Sequence, residues 1–389
     1  MTTTANNPPR KKIVVVTGKR AARENIIGWL FVLPAVAIIL IFGLFPIGYS
    51  TYMSLFSWRV AKGPFIGLGN YQKLIGDWLG LAVFIVGLVM LFGAYLIWEN
   101  ATKEVNHKKK NLKYASALVL IAGGALFSVG WNLMYKLGDK DFLNSLIVTF
   151  FYAVFSVPLQ LMLGMILAFL LFQNIRGKDA FRIIYFLPYV TPVVTTAVVF
   201  RTIFNMRESS LANIFLSWFG AGPWKWLFEP KSVLEVMFGI KTVGMSTGPS
   251  LALISIIIFG VWTFVGYNVV IFLAGLGGIS KELYEAAEID GASKWDLFKR
   301  ITMPLLSPVT FYLLLYSFIG TFKAFNHIYV MSTPNAQKTV VTTAVNVFNT
   351  FYVQNNFGYS ASQAILLFLI ILGLTVAQNK IFGEKVFYG

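Results

Sequence analysis

Long runs of apolar residues, each bounded by a short charged segment, set the pattern of this chain. The runs Ile26–Thr51, Leu79–Trp98, Tyr114–Tyr135, Phe142–Gln173 and Leu251–Leu276 contain no charged residue, and each is long enough for the roughly 20 residues a bilayer-spanning α-helix needs. Three more runs, Ile183–Asn205, Ile301–Met331 and Ser360–Ala377, complete a set of eight predicted spans. The fold class this predicts is all-α, a polytopic transmembrane helical bundle. Its segments are a polar N-terminal stretch over 1–25, a first transmembrane helix over 26–53, a transmembrane hairpin over 79–135, a core over 142–378 and a tail over 379–389. Pro34 marks a bend in the first helix. Pro188 and Pro192 are expected to loosen the run from Ile183, and the Trp-rich segment Arg207–Ser250 reads as a soluble loop whose Trp218, Trp224 and Trp226 suit a membrane interface.

Composition strengthens this reading. The chain is 57% hydrophobic and 12% charged, with mean hydropathy +0.70, where a soluble domain carries about 25% charged residues. Its net charge of +16 could suggest nucleic acid, but in a membrane protein the sides of the bilayer matter more. Sorted by eight spans, 20 of the 32 Lys and Arg fall on the side of both termini: the N-terminal segment, the lysine loop at Lys108–Lys110, the turn at Arg176, the segment after Leu276 and the tail. Positive residues concentrate on the cytoplasmic side, so both termini are expected there. The chain has no cysteine and two histidines, His107 and His327, so no metal site is expected.

The segment Glu282–Pro304, ELYEAAEIDGASKWDLFKRITMP, is the most informative. Leu283, Ala286, Ala287 and Ile289 share one helical face, Trp295, Phe298 and Ile301 another, and Gly291 sits between them. The spacing reads as helix, turn, helix, with Pro304 opening the next helix. Glu285-Ala286-Ala287, three residues, Gly291, nine residues and Ile301-x-Met303-Pro304 resemble the EAA loop of membrane subunits of ATP-binding-cassette importers, here bounded as 280–304. The region PFIGLGNYQKLIGD also resembles the external segment after the first helix in the sugar-importing, maltose-type branch. The resemblance implies a type I importer permease core of the larger subunit and leaves the 79–135 hairpin unaccounted for. Ala122, Gly123, Gly124 and Ser128 would give that hairpin a small-residue face for docking on the outside of the bundle.

Several roles follow from the resemblance. Glu285, Ala286, Ala287, Asp290, Gly291 and Trp295 would meet an ATP-binding subunit. A second permease, two ATP-binding subunits and an extracytoplasmic solute-binding protein would complete the system. Positions matching Thr263, Phe264, Tyr267, Gly320, Thr321 and Ala324 touch the solute in sugar importers of this class. Helical stripes in the residues themselves add Thr195, Thr196 and Lys323 to the expected path, with Tyr316, Ser317, Gly320, Lys323, Ala324 and His327 on one face about 120° wide. Lys323 either faces the path or snorkels to the surface, and His327 is structural. No GxxxxGK[ST] phosphate loop occurs, so this chain binds no cofactor, and ATP and Mg would sit on the partner subunit. The runner-up solutes are glycerol phosphate or another small molecule. A reading of another class is a membrane-embedded enzyme acting on lipid-linked glycans.

Overall fold

The computed structural model describes residues 19–103, 108–173, 176–240 and 248–387. The chain divides into two compact units, Met1–Tyr52 and Met53–Gly389. In the first, α1 (Lys19–Ile38) continues through a π-helical turn, Ile39–Leu44, into α2 (Phe45–Ser54). Pro46 explains the turn: it lacks an N–H, and its ring presses on the carbonyl four residues back. The helix widens just ahead of it, with the Phe45 N–H donating to Leu40 O. The irregularity thus precedes Pro46 instead of marking Pro34.

The second unit opens with an antiparallel pair, β1 (Phe56–Trp58) and β2 (Lys62–Phe65), and the short α3 (Gly69–Ile75). Within this unit the Asn70 amide ties α3 to the preceding chain, donating to Ser54 O at 2.8 Å and Phe56 O at 3.0 Å. Then comes the inserted hairpin, α4 (Trp78–Lys103) and α5 (Lys108–Leu137). Glycines let its backbones touch. A Cβ on Gly87 would lie 2.4 Å from Phe127 N, and one on Gly130 would lie 2.4 Å from Phe84 N. The small-residue face expected to dock on the bundle is spent differently. Gly123 packs inside the hairpin against Met90, Gly124 meets open space, and Ala122 and Ser128 are exposed. Docking occurs at one end instead, where Leu81, Phe84, Trp131 and Tyr135 pack around Leu74, Phe142 and Leu143. The loop centre at 104–107, with Asn106 and His107, lies outside the described residues.

Helix α6 (Lys140–Phe172) starts at the Asp139 carboxylate, which accepts from the Asp141 and Phe142 N–H groups at 2.9 and 3.1 Å. The predicted span 183–205 is two helices, α7 (Lys178–Val190) and α8 (Val193–Ile203), meeting at 95°. Pro192 accounts for the break, since the residue before a proline is driven to extended backbone, and Thr191 sits at φ −69°, ψ 142°. The segment after α8 is also more ordered than a loop. It carries α9 (Leu211–Ser217) and α10 (Val233–Phe238). Asn213 is its hub: the amide donates to Asn205, Arg207 and Trp224 carbonyls and accepts from Trp224 N–H and Trp226 Nε1–H. Trp226 is consequently buried, so only Trp218, 73% exposed, presents the full interfacial ring expected of the three.

Helix α11 (Leu251–Gly277) runs through the centre. In its most apolar window 56% of residues are buried, against 17% in either hairpin helix, so the hairpin shows most of its surface to its surroundings. After α11 come α12 (Lys281–Ile289), α13 (Lys294–Leu297), a π turn over Phe298–Thr302, α14 (Met303–Leu305) and α15 (Ser307–Phe322). The helix beginning at Lys294 passes through Pro304 and bends by 60° at Leu306; Pro308, not Pro304, occupies the first turn of the long helix. The predicted run to Met331 ends early, at Phe322, and α16 (Asn326–Met331) is separate. The segment Ser332–Tyr359 holds α17 (Gln337–Val340) and α18 (Thr343–Phe348) with a π turn over Asn349–Val353. It is pinned to α6 by the Thr343 N–H donating to Thr149 Oγ1 at 2.9 Å. Helix α19 (Phe357–Phe382) extends past the predicted Ala377. Among the described residues six helices are long and apolar enough to cross a membrane, and the bent pairs bring the number to eight.

Candidate functional site: coupling helix and tyrosine cluster

The EAA segment is built as its local sequence dictates. Ser280 caps α12 through the Glu282 N–H, and Ser293 and Asp296 form a reciprocal capping box at α13. Between them Gly291 takes φ +82°, a conformation a Cβ would penalise. The Ala292 N–H then closes back on Ala287 O at 2.9 Å. Glu285, Ala286, Asp290, Gly291 and Trp295 are exposed, and Ala287 is half-buried. Leu283 and Ile289 are 47% and 86% exposed, which leaves an apolar helix face uncovered. The unit is not loose, however. The Tyr284 hydroxyl reaches Thr302 Oγ1 at 3.0 Å, and Phe298 stacks on Trp295 while meeting Phe169 of α6 edge-on at 5.2 Å. Tyr284 was not singled out by the sequence pattern, because its partner is 18 residues away across the turn.

A second constellation lies where α7, α11 and α15 meet. Tyr189 stacks on Tyr267 with ring centroids 5.0 Å apart, Tyr267 faces Tyr316 at 5.2 Å, and its hydroxyl lies 3.3 Å from that of Tyr312. Phe264 adds an edge contact to Tyr189 at 6.2 Å. The arrangement depends on Gly266. A Cβ there would overlap the Tyr185 carbonyl oxygen at 1.9 Å, so only glycine lets α7 lie directly on α11. Tyr312 and Tyr316 are 49% and 44% exposed, so the cluster has an accessible flank of ring faces and phenol hydroxyls. Neither Tyr189 nor Tyr312 was among the expected path residues. Tyr312 and Tyr316 at i, i+4 on α15 were the available signal.

The other expected path residues divide. Thr263 is fully buried and Thr321 is 5% exposed; their hydroxyls donate to Phe259 O and Phe318 O in their own helix. Neither offers a surface in this conformation. Gly320 is exposed with no atom within 4 Å of a would-be Cβ, and Ala324 is half-buried. Thr195 is exposed, whereas the Thr196 hydroxyl bonds back to Val193 O at 3.0 Å. Lys323 is exposed and occupies the C-terminal cap of α15, where its N–H closes the last turn. The stripe from Tyr316 to His327 is therefore not one face, because α15 ends within it. His327 sits buried on α16, bonded to the Tyr152 hydroxyl at 2.8 Å.

Residues 160–386, more than half of the chain, match the model of the binding-protein-dependent transport system inner membrane component family. This chain belongs to that family. It is 32% identical to an arabinooligosaccharides transport system permease protein of Bacillus subtilis over 62% of this chain and 70% of that protein. It is 25% identical to the trehalose/maltose transport system permease protein of Thermococcus litoralis over 94% of this chain and 97% of that protein. In fold it is similar to a chain of a bacterial alginate ABC transporter solved with an alginate-pentasaccharide-bound periplasmic protein, with a TM-score of 0.54 and 20% identity over 70% of this chain and 94% of that one. The chain is thus a membrane-embedded permease of a binding-protein-dependent ABC importer, a family that is not itself catalytic, and the reading as a glycan-processing enzyme falls away.

Proposed function

We propose that this permease carries a neutral sugar or oligosaccharide, delivered by an extracytoplasmic binding protein, along a path that includes Tyr189, Tyr267, Tyr312 and Tyr316. The observation that carries the reading is the tyrosine cluster: ring faces suit the apolar faces of sugar rings, and phenol hydroxyls both donate and accept towards sugar hydroxyls. The names of the two relatives support the same class. A glycerol phosphate would call for convergent cations, and the Arg201 guanidinium is turned to the Val330 carbonyl.

The driving force is external to this chain. An ATP-binding subunit, carrying ATP and Mg, would cover the uncovered face of α12 through Leu283, Ala286 and Ile289, and a second permease would complete the path. Closure of the ATP-binding pair favours one position of α12. The brace from Tyr284 to Thr302 and the bent helix beyond it pass that position to α15, which bears Tyr312 and Tyr316. A conformational preference imposed at one end thus biases solute contacts at the other. Both termini and the α12 side face the cytoplasm in this reading.

Uptake into proteoliposomes containing the complete transporter tests it. Tyr267→Ala is expected to lower sugar uptake by about tenfold or more, the equivalent of losing roughly 1.4 kcal/mol of solute interaction, while the ATP-binding subunit still copurifies. Normal uptake by Tyr267→Ala would exclude the cluster from the path.

A further inference from the structure

A polar cavity lies beside the N-terminal end of α6. It has a volume of about 540 Å³ and is bounded by the first turns of α6, by α16, and by the segment running from Ser332 through α18 to Gln354. Asn144 and Phe169 are 25 residues apart on α6, roughly 40 Å of helix, and Phe169 packs on the coupling unit. The cavity is therefore at the opposite end of the bundle, where a solute would arrive.

Its lining is unusual for a gap between membrane helices. Five amide-bearing residues, Asn144, Gln337, Asn346, Asn349 and Gln354, line it together with Tyr329. An amide supplies both a donor and an acceptor, which is what a sugar hydroxyl requires. The Tyr329 ring is held by Phe325 at 5.3 Å and Phe348 at 5.4 Å, and offers a fixed aromatic wall. Asp141 and Lys338 also line the cavity, and their opposite charges give an anion no net advantage. One amide is unsatisfied: among the described residues the buried Asn346 Nδ2 meets no acceptor. A buried donor without a partner is destabilising, and because Nδ2 is closed off, the amide edge that Asn346 presents to a solute hydroxyl is its Oδ1, an acceptor. Asn144 is aligned from outside the core, its Oδ1 accepting from the Tyr135 hydroxyl of the inserted hairpin at 3.2 Å. Its NH₂ group is thereby the part left to meet a solute.

We infer that this cavity is an entry subsite for a neutral oligosaccharide, occupied before the solute reaches the tyrosine cluster. The inference rests on the carbohydrate reading above and adds a second binding site to it. Binding can be read from thermal unfolding of the full chain in lipid nanodiscs, titrated with maltose, trehalose, lactose and sn-glycerol 3-phosphate. The background is Tyr267→Ala, so that the inner cluster does not contribute. At least one disaccharide is expected to raise the melting temperature at millimolar concentration, and sn-glycerol 3-phosphate is not. Adding Asn346→Leu, similar in size and without the unpaired donor, should weaken the apparent disaccharide affinity by about tenfold, as loss of one buried hydrogen bond does. The same substitution should leave the ligand-free melting temperature unchanged or higher, which separates loss of a contact from damage to the fold. Asn349→Leu provides an independent second variant with the same expected loss of affinity. Absence of any disaccharide shift in the Tyr267→Ala chain, or a shift that survives both asparagine substitutions, would overturn the subsite. A shift seen in the wild-type chain and abolished by Tyr267→Ala would also remove it while leaving the inner path standing. Failure of the transport reading registers elsewhere, as normal uptake by Tyr267→Ala.

Discussion

Gly266 carries more of the proposed path than its lack of a side chain suggests. With the Tyr185 carbonyl where a Cβ would stand, Gly266→Ala must push α7 off α11 and with it Tyr189 off Tyr267. Overpacking of this kind costs about 1–3 kcal/mol. Thermal unfolding in detergent should show a lower midpoint for Gly266→Ala, with sugar uptake reduced as well. Gly320→Ala, where no atom lies within 4 Å of the added carbon, should unfold like wild type. Equal midpoints for the two variants would contradict the close approach. The exposed tyrosines and the buried threonines make a related point. Thr263 and Thr321 occupy positions that the resemblance assigns to solute contact, yet each hydroxyl is committed to its own helix. A helical wheel cannot distinguish a threonine facing a path from one bonded back to a carbonyl four or three residues earlier, because both lie on the same arc.

At the scale of elements, the coupling unit was the most legible part. Its caps, its glycine and its two apolar faces are local features, so helix, turn and helix appear where spacing put them. Spans were legible as runs of apolar residues, but not their breaks. Pro192 signals an interruption, yet a proline in a membrane helix gives anything from a slight bend to a corner, and the residues around it do not state the 95° angle that α7 and α8 make. The ending of α15 at Phe322 has no proline after it and no glycine at its cap, which is Lys323, to announce it. Similarly, nothing local to Trp226 reveals that Asn213, 13 residues earlier, draws its indole inward. The brace between α12 and the following helix gives a prediction on this scale. Tyr284→Phe removes one hydroxyl and leaves the ring, so the subunit should assemble with its ATP-binding partner. Uptake per ATP hydrolysed is expected to fall several-fold, because motion of α12 is transmitted less completely. Thr302→Val should act in the same direction, and the double variant should be no worse than the poorer single one, as expected for two ends of one interaction. Additive losses would mean the two residues act separately.

For the whole molecule, the hairpin of α4 and α5 is an insertion with adjoining ends. The Asp139 N–H donates to Leu74 O at 3.1 Å, and Gly76 and Gly138 approach closely enough that a Cβ on Gly76 would lie 2.3 Å from Gly138 N. The chain leaves α3 and re-enters at α6 almost where it left. Joining Asp77 to Lys140 should therefore preserve the remaining bundle and binding of the ATP-binding subunit, while lowering thermal stability through loss of the packing of Leu81, Phe84 and Trp131 on Leu74 and Phe142. A deletion variant that cannot be recovered from membranes at all would show the hairpin to be part of the core. Topology can be checked in the same cysteine-free chain. Cysteines at Asn106 and Ala286 should both be shielded from a membrane-impermeant reagent in intact cells, whereas one at Trp218 should label.

The central claim is that an ATP-binding subunit works this permease through α12, and Gly291 is where that claim is most exposed. Valine at φ +82° is strained by its branched Cβ, so Gly291→Val should distort the turn without touching a membrane helix. The decisive measurement is sugar uptake per ATP hydrolysed in proteoliposomes of the complete transporter carrying this variant. The account predicts a chain that inserts and assembles, with that ratio at least about tenfold below wild type, the equivalent of roughly 1.4 kcal/mol of lost coupling. A wild-type ratio in a variant that inserts and assembles would contradict it.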